Sequence, residues 1–129
     1  MPFYIDYVLA VDLHFALMEY WGETRFGIDD RFLLESSLAR PKQTAAYEET
    51  DILRQAASLC FGLIKNHPWT GGNKRTATFL MDFFLEKNGF RNTATSPEIY
   101  EMSLAVESNS WTVDEIERWL REKVISLEG

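Results

Sequence analysis

Apolar residues recur at helical spacing along most of this chain, and turn residues separate the periodic segments. The first periodic segment covers residues 3–21, so we predict a helix there that stops at Gly22. A loop follows, and Asp30 is placed to cap a short helix over 31–39 that ends before Pro41. This part of the chain therefore has the pattern of a helical protein.

The middle of the chain changes from a weak apolar pattern to a dense one. Residues 41–50 are poorly periodic, and we predict a surface loop or flap there. From Asp51 to Asn66, apolar positions cover most of the helix circumference, which predicts a helix buried on several sides. We expect this helix to lie at the centre of the fold.

Three more helices are predicted from their caps and stripes. One runs to Gly89, one opens at Ser96-Pro97 and reaches about residue 107, and the last opens with capping-box spacing at Thr112 and carries an apolar stripe to Leu127. The helix that ends at Gly89 is amphipathic. Its polar positions are Thr78, Asp82 and Glu86, and its predicted inward positions are Phe79, Leu80, Phe83 and Phe84.

Composition supports one all-α domain over residues 1–129, with about six helices and a buried central helix. The chain has 129 residues, 46% of them hydrophobic, and can close one core without metals or disulfides. Cys60 is the single cysteine, so no intrachain disulfide is possible. The net charge of −7 disfavours nucleic-acid binding, and we find neither a signal-peptide pattern nor an apolar run of membrane-spanning length. We expect a cytoplasmic protein with no nucleic-acid or membrane partner.

The candidate chemistry lies between His67 and Thr76, which reads His-Pro-Trp-Thr-Gly-Gly-Asn-Lys-Arg-Thr. Near neutral pH, the imidazole of His67 is suited to take a proton from an attacking hydroxyl. The glycine pair 71–72 precedes a helix, where free backbone N–H groups attract anions. Lys74 and Arg75 add two cations that are misplaced at a helix N-terminus unless an anion joins them. The pattern predicts a phosphate-handling site.

This motif closely resembles the signature of the Fic/Doc superfamily, and its Asn-Lys-Arg ending resembles the Doc-type (death-on-curing) variant. Similar segments cover nearly the whole chain. The matching motif residues are His67, Pro68, Gly72, Asn73, Lys74 and Arg75, with Trp69 standing for the usual aromatic residue. The other similar segments are Leu13-His14, Tyr20 to Gly22, Leu34 to Pro41 and Phe84 to Gly89.

The resemblance implies a Doc-type toxin of a toxin–antitoxin system that moves the γ-phosphate of ATP onto elongation factor Tu and arrests translation. It implies that His67 is the base, and that Gly71, Gly72, Asn73 and Arg75 belong to the phosphate cradle. Lys74, also at the phosphates, would select phosphorylation over AMP transfer. The expected partner is a small Phd-like antitoxin, since no segment here completes the inhibitory helix motif that many Fic enzymes carry.

Gly71 is the one departure from the motif, because the family has an acidic residue or Asn there and uses the acid to bind Mg²⁺. No carboxylate occurs between 68 and 75, so we assign no metal ligand. Three alternatives follow: the substrate phosphates alone hold the Mg²⁺, the carboxylate of Asp82 reaches in from the following helix to bind it, or catalysis is weakened or lost. The alternatives to phosphate transfer are therefore AMP transfer and a silent fold that binds a partner or nucleotide. On this resemblance, Gly71→Asp would restore a metal ligand and raise activity.

Two aromatic residues are assigned structural roles. We interpret His14, on an apolar helix, as a hydrogen-bonded structural histidine rather than a ligand. Trp69 is expected to be a buried anchor that holds the motif loop.

Overall fold

The computed structural model describes residues 2–48 and 51–128, which form six helices and one two-stranded sheet. This confirms the predicted all-α fold. None of the helices in the described residues is long and apolar enough to cross a membrane. The helices are α1 (Tyr7–Tyr20), α2 (Arg31–Glu48), α3 (Ile52–Asn66), α4 (Asn73–Lys87), α5 (Ser96–Glu107) and α6 (Val113–Lys123), and the strands are β1 (Phe90–Asn92) and β2 (Val124–Ser126).

The core is built around α3, as the dense apolar pattern predicts. Helices α2, α4, α5 and α6 all pack against it. Asp51 caps its N-terminus and accepts a hydrogen bond from the backbone N–H of Arg54 at 3.1 Å. The buried residues of α3 are Leu53, Gln55, Ala56, Ala57, Ser58, Leu59, Cys60, Gly62, Leu63 and Ile64.

Helix α1 begins later than predicted, at Tyr7 instead of residue 3. Asp6 accepts a hydrogen bond from the N–H of Leu9 at 2.9 Å and so caps the helix. The predicted stop is confirmed, since Gly22 has a φ of +68° that an L side chain rarely adopts.

Helix α2 is the largest correction, because Pro41 lies inside it and the predicted loop over 41–50 is helical to Glu48. Residues 49 and 50 lie outside the described residues. Helix α3 holds the turns on both sides of the proline. Arg40 Nε donates to the carbonyl of Ser58 at 2.9 Å, and Thr44 Oγ1 donates to Ser58 Oγ at 3.2 Å. Packing along α3 therefore outweighs the hydrogen bond that the proline removes.

The other end of this helix agrees with the prediction. Asp30 accepts a hydrogen bond from the N–H of Leu33 at 3.0 Å. Asp30 is thus the N-terminal cap of α2, as its position before the periodic segment indicates.

The C-terminal part differs from the prediction in two details. Thr95, not Ser96, caps α5, in a capping box with Glu98. Helix α6 opens at the predicted Thr112 but ends at Lys123, because β2 pairs antiparallel with β1 instead of extending the helix. The predicted helical stripe to residue 127 is therefore wrong. In β2 the backbone N–H and C=O groups bond to a strand that is distant in the chain, and a local apolar pattern cannot predict such a partner.

The faces of α4 also differ in part from the prediction. Phe79, predicted to face inward, is 37% exposed, whereas Thr78, predicted to be polar surface, is 9% exposed. Thr78 Oγ1 donates to the carbonyl of Lys74 at 3.1 Å, so its hydroxyl needs no water. Leu80 and Phe84 are fully buried, as predicted.

Candidate functional site

The motif lies in a short loop that joins the C-terminus of α3 to the N-terminus of α4. His67 ends α3 in a left-handed conformation with a φ of +46°, and its side chain is exposed. Gly72 precedes α4 with a φ of +68°, and its carbonyl accepts from the N–H of Thr76 at 2.9 Å. The N–H groups of residues 73–75 then have no intrahelical acceptor. They form the predicted anion-attracting helix terminus.

Asn73 closes this loop with both ends of its amide. Its Oδ1 accepts from the N–H of Trp69 at 2.9 Å, and its Nδ2 donates to the Trp69 carbonyl at 2.8 Å. Trp69 is 2% exposed, which agrees with the predicted anchor. A phosphate contact from Asn73 stays a prediction. Because both ends of its side-chain amide bond the backbone of Trp69, the backbone N–H of Asn73 is the group left to make that contact.

His14 holds the motif loop in place through its contacts with Trp69, Gly27 and Thr76. Its ring stacks on Trp69 with centroids 4.1 Å apart and an interplanar angle of 13°. Nε2 accepts from the N–H of Gly27 at 3.1 Å, so Nδ1 carries the proton and donates to Thr76 Oγ1 at 2.8 Å. Burial lowers the pKa of His14 to about 4, so the ring is neutral at physiological pH. His14 is the structural histidine that the sequence predicts.

Residues 23–30, which we name the strap, cover the motif loop. The sequence predicts a loop over these residues, but no residue pattern in it indicates that the loop packs on the motif. The backbone pairs are the N–H of Thr70 with the carbonyl of Gly27 at 2.8 Å, the N–H groups of Asp29 and Asp30 with the carbonyl of Pro68 at 2.9 and 3.1 Å, and an antiparallel bridge between Ile28 and Trp69.

Gly71 lies against the strap with no room for a side chain. A Cβ at this position would be 2.4 Å from the carbonyl oxygen of Arg25. At Gly72 a Cβ would meet Met18 Sδ at 2.6 Å, in addition to the strain of a positive φ. Gly71 is therefore required by its close approach to backbone, and Gly72 by its positive φ, since the Met18 side chain that a Cβ would meet is flexible. The sequence could suggest both glycines only as turn chemistry.

The two motif cations are paired with protein carboxylates. Lys74 Nζ lies 3.1 Å from Glu107 Oε2 at the end of α5, and Arg75 Nη1 lies 3.0 Å from Glu23 Oε1 in the strap. The Arg75 guanidinium also stacks over the ring of Trp21 at 4.5 Å. The expectation that these cations need a ligand anion is corrected, since the fold supplies two anions from residues distant in sequence.

A pocket of about 610 Å³ opens between the end of α1, α4 and α5. The motif cations lie at its lining, together with aromatic and aliphatic side chains that offer stacking surface. His67, at the start of the motif loop, is exposed and is not one of the residues that line this pocket. The arrangement is suited to an anion joined to a flat apolar group. The lining residues are Leu17, Trp21, Glu23, Gly72, Asn73, Lys74, Arg75, Thr78, Phe79, Asp82, Ser96, Ile99, Tyr100 and Ser103.

Asp82 is the carboxylate that lines this pocket from the middle of α4. It accepts a hydrogen bond from Asn92 Nδ2 at 3.0 Å. Burial raises its pKa to about 6, and the negative charge of Glu86 acts in the same direction. Ionised Asp82 therefore costs folding free energy at neutral pH.

We expect Asp82→Asn to raise the free energy of unfolding by roughly 2 kcal/mol near neutral pH, because the amide needs no charge desolvation. The folded pKa lies above the ordinary value of 3.8, so the gain is absent below that pH, grows up to about 6 and is complete above it. Urea unfolding at about pH 4 and about pH 7.5 measures both ends. Asp12→Asn, at an exposed position of α1, is the control and should change neither value. An equal gain at both pH values would contradict the assignment.

Comparison with known proteins adds two findings. A model described as the Fic/DOC family matches residues 4–85, which include the strap and the whole motif loop. The chain is also 28% identical over 119 residues to "Protein kinase doc" from Escherichia phage P1, a match that covers 92% of this chain and 93% of that protein. Glu107, the partner of Lys74, lies beyond the family match.

Proposed function

Since this chain belongs to the Fic/DOC family, we propose that it is a Doc-type toxin that transfers the γ-phosphate of ATP to a hydroxyl of a translation protein. The observation that carries the proposal is the pocket in which the N-terminus of α4, Lys74 and Arg75 face the same space. In phosphoryl transfer, a protein mainly positions phosphates and offsets their charge. The relative named as a protein kinase supports phosphate as the transferred group.

His67 is the proposed base. Its exposed ring, at the left-handed end of α3, is accessible to a hydroxyl on a protein substrate. The hydroxyl oxygen forms a bond to the γ-phosphorus, the bond to the bridging oxygen breaks, and ADP leaves while His67 takes the hydroxyl proton. We propose an elongation factor Tu-like protein as the substrate, whose modification would arrest growth.

Lys74 is proposed to set the reaction type, and Lys74→Gly is expected to lower phosphate transfer by at least about tenfold because it removes a cation from the phosphates. Lys87→Gly, in the last turn of the same helix and away from the pocket, is the matched control and should keep full activity. Intact mass of the modified target separates the reactions, since phosphate adds about 80 Da and AMP about 329 Da. Undiminished phosphate transfer by Lys74→Gly would remove this role from Lys74.

Because Gly71 stands where the family has a metal-binding acid, it favours a second candidate function. In that case the fold binds nucleotide or a partner protein and catalyses no reaction. The same mass measurement tests it. Nucleotide binding with an unchanged target mass would support the binding fold, and a gain of about 329 Da would support AMP transfer.

A small Phd-like antitoxin is the partner we propose, and the cytoplasm, where translation occurs, is the proposed location. The net charge of −7 favours a partner segment with basic side chains. Co-expression with the product of a neighbouring small reading frame should relieve growth arrest and yield a complex that co-purifies.

A further inference from the structure

The position that holds a metal-binding acid in the family is filled by backbone in this chain. At Gly71, the carbonyl oxygen of Arg25 occupies the space that a Cβ would need. The strap that carries this carbonyl is hydrogen-bonded to the motif loop just before Gly71, at Thr70 and Pro68. A carboxylate side chain cannot enter here unless the strap moves.

The carboxylates at the pocket have protein partners already. Glu23 pairs with Arg75, Glu107 pairs with Lys74, and Asp82 accepts from Asn92. Mg²⁺ in phosphate-transfer sites is usually held through one or two protein carboxylates beside the substrate phosphates, and the Asp82 carboxylate is already engaged with Asn92. Across residues 2–48 and 51–128, no three His, Cys, Asp or Glu side chains lie close enough together to hold a metal ion. At Gly71, where the family holds Mg²⁺ with an acid, this chain has no carboxylate and no room for one, so the Mg²⁺ that the family implies does not fit the motif loop.

We propose that the phosphates of the nucleotide bind here without a Mg²⁺ held by the protein, and that they displace Glu23 from Arg75 and Glu107 from Lys74. This inference rests on the nucleotide binding proposed above. Each released cation gains a phosphate oxygen for a carboxylate oxygen, and arginine can bind phosphate through two parallel hydrogen bonds.

The exchange is favoured because the internal pairs are weak. The side chains of Arg75 and Glu23 are 43% and 44% exposed, and those of Lys74 and Glu107 are 32% and 36% exposed. Ion pairs this open to water contribute little stability. A multivalent phosphate chain, which also meets the free N–H groups of residues 73–75, replaces them.

Calorimetric titration of the intact protein with ATP, in excess EDTA and in Mg²⁺, tests the inference. We expect the two Kd values to agree within about threefold, or binding in EDTA to be tighter, because no protein group gains a metal contact. Tighter binding in Mg²⁺ by more than that, with phosphate transfer intact, would overturn this inference alone. Absence of ATP binding in both conditions would overturn the proposed function as well.

Glu23→Gln gives a second, independent reading. It leaves Arg75 without a competing charge, so ATP should bind about two- to fivefold more tightly in EDTA and in Mg²⁺ alike, in line with a partly exposed ion pair. The matched control is Glu35→Gln, which removes the same charge and breaks the Arg31–Glu35 pair outside this pocket, and it should not change the Kd. Weaker binding of Glu23→Gln in Mg²⁺ only would identify Glu23 as a metal ligand and overturn the inference.

Discussion

His67→Asn is expected to lower the rate of phosphate transfer by about 10² to 10⁴, the usual contribution of a general base, and to relieve growth arrest. The amide cannot accept the hydroxyl proton at neutral pH. Asparagine is the preferred substitute because it tolerates the left-handed φ of +46° better than most residues, so the loop should keep its conformation. Transfer of labelled phosphate to the target under single-turnover conditions measures the effect.

The control for this variant is its stability. Because His67 is exposed, His67→Asn should unfold at the same temperature as wild type and should bind ATP with an unchanged Kd. His67→Ala provides a comparison in which the left-handed backbone is less well tolerated. A folded His67→Asn protein with full transfer activity would remove the general-base role from this residue.

Gly71→Asp is expected to lower the free energy of unfolding by about 1–3 kcal/mol, the usual cost of forcing atoms into a filled space, and to lower activity with it. The reason is the 2.4 Å approach between a Cβ and the Arg25 carbonyl. The motif alone predicts the opposite result, a gain of activity through a restored metal ligand. The contact with the strap reverses that expectation. Chemical denaturation and transfer rates in limiting and excess Mg²⁺ give both quantities.

Gly71→Ala is the matched variant, since it adds the Cβ without the charge. We expect it to be destabilised to a similar degree as Gly71→Asp, because the clash begins at the Cβ. If Gly71→Asp were as stable as wild type and transferred phosphate faster in Mg²⁺, the strap would be movable. This position would then again be assigned to a metal ligand.

The sequence predicts those elements whose cause is local. The caps at Asp30 and Thr112, the stop at Gly22 and the buried circumference of α3 each follow from a few neighbouring residues, and the structure confirms them. The placement of the motif at a helix N-terminus belongs to the same class. Periodicity and cap chemistry act within one or two turns, so they are readable in the chain.

The predictions that were wrong depend on contacts between distant segments. Pro41 stays within α2 because α3 holds the helix turns on both sides of the proline. Strands β1 and β2 pair although they are distant in the chain, as the partners Phe90 and Ser126 illustrate. Neither effect leaves a mark in the local pattern. Tertiary packing decides such cases against intrinsic propensity.

The candidate site divides along the same line. The base, the glycine turn and the two cations are contiguous and could be named in advance, whereas their partners are far away in sequence. Glu107 lies 33 residues from Lys74, and Glu23 lies 52 residues from Arg75. Acidic residues are frequent in this chain, so nothing in the sequence singles out these two.

The central claim is that this chain moves the γ-phosphate of ATP with His67 as base. Incubation of elongation factor Tu with the protein and ATP labelled on either the γ- or the α-phosphate tests it most directly, with His67→Asn run in parallel. The account predicts that wild type transfers the γ-label and not the α-label, and that His67→Asn transfers neither at a comparable rate. Transfer of the α-label, or undiminished γ-transfer by the His67→Asn protein, would contradict it.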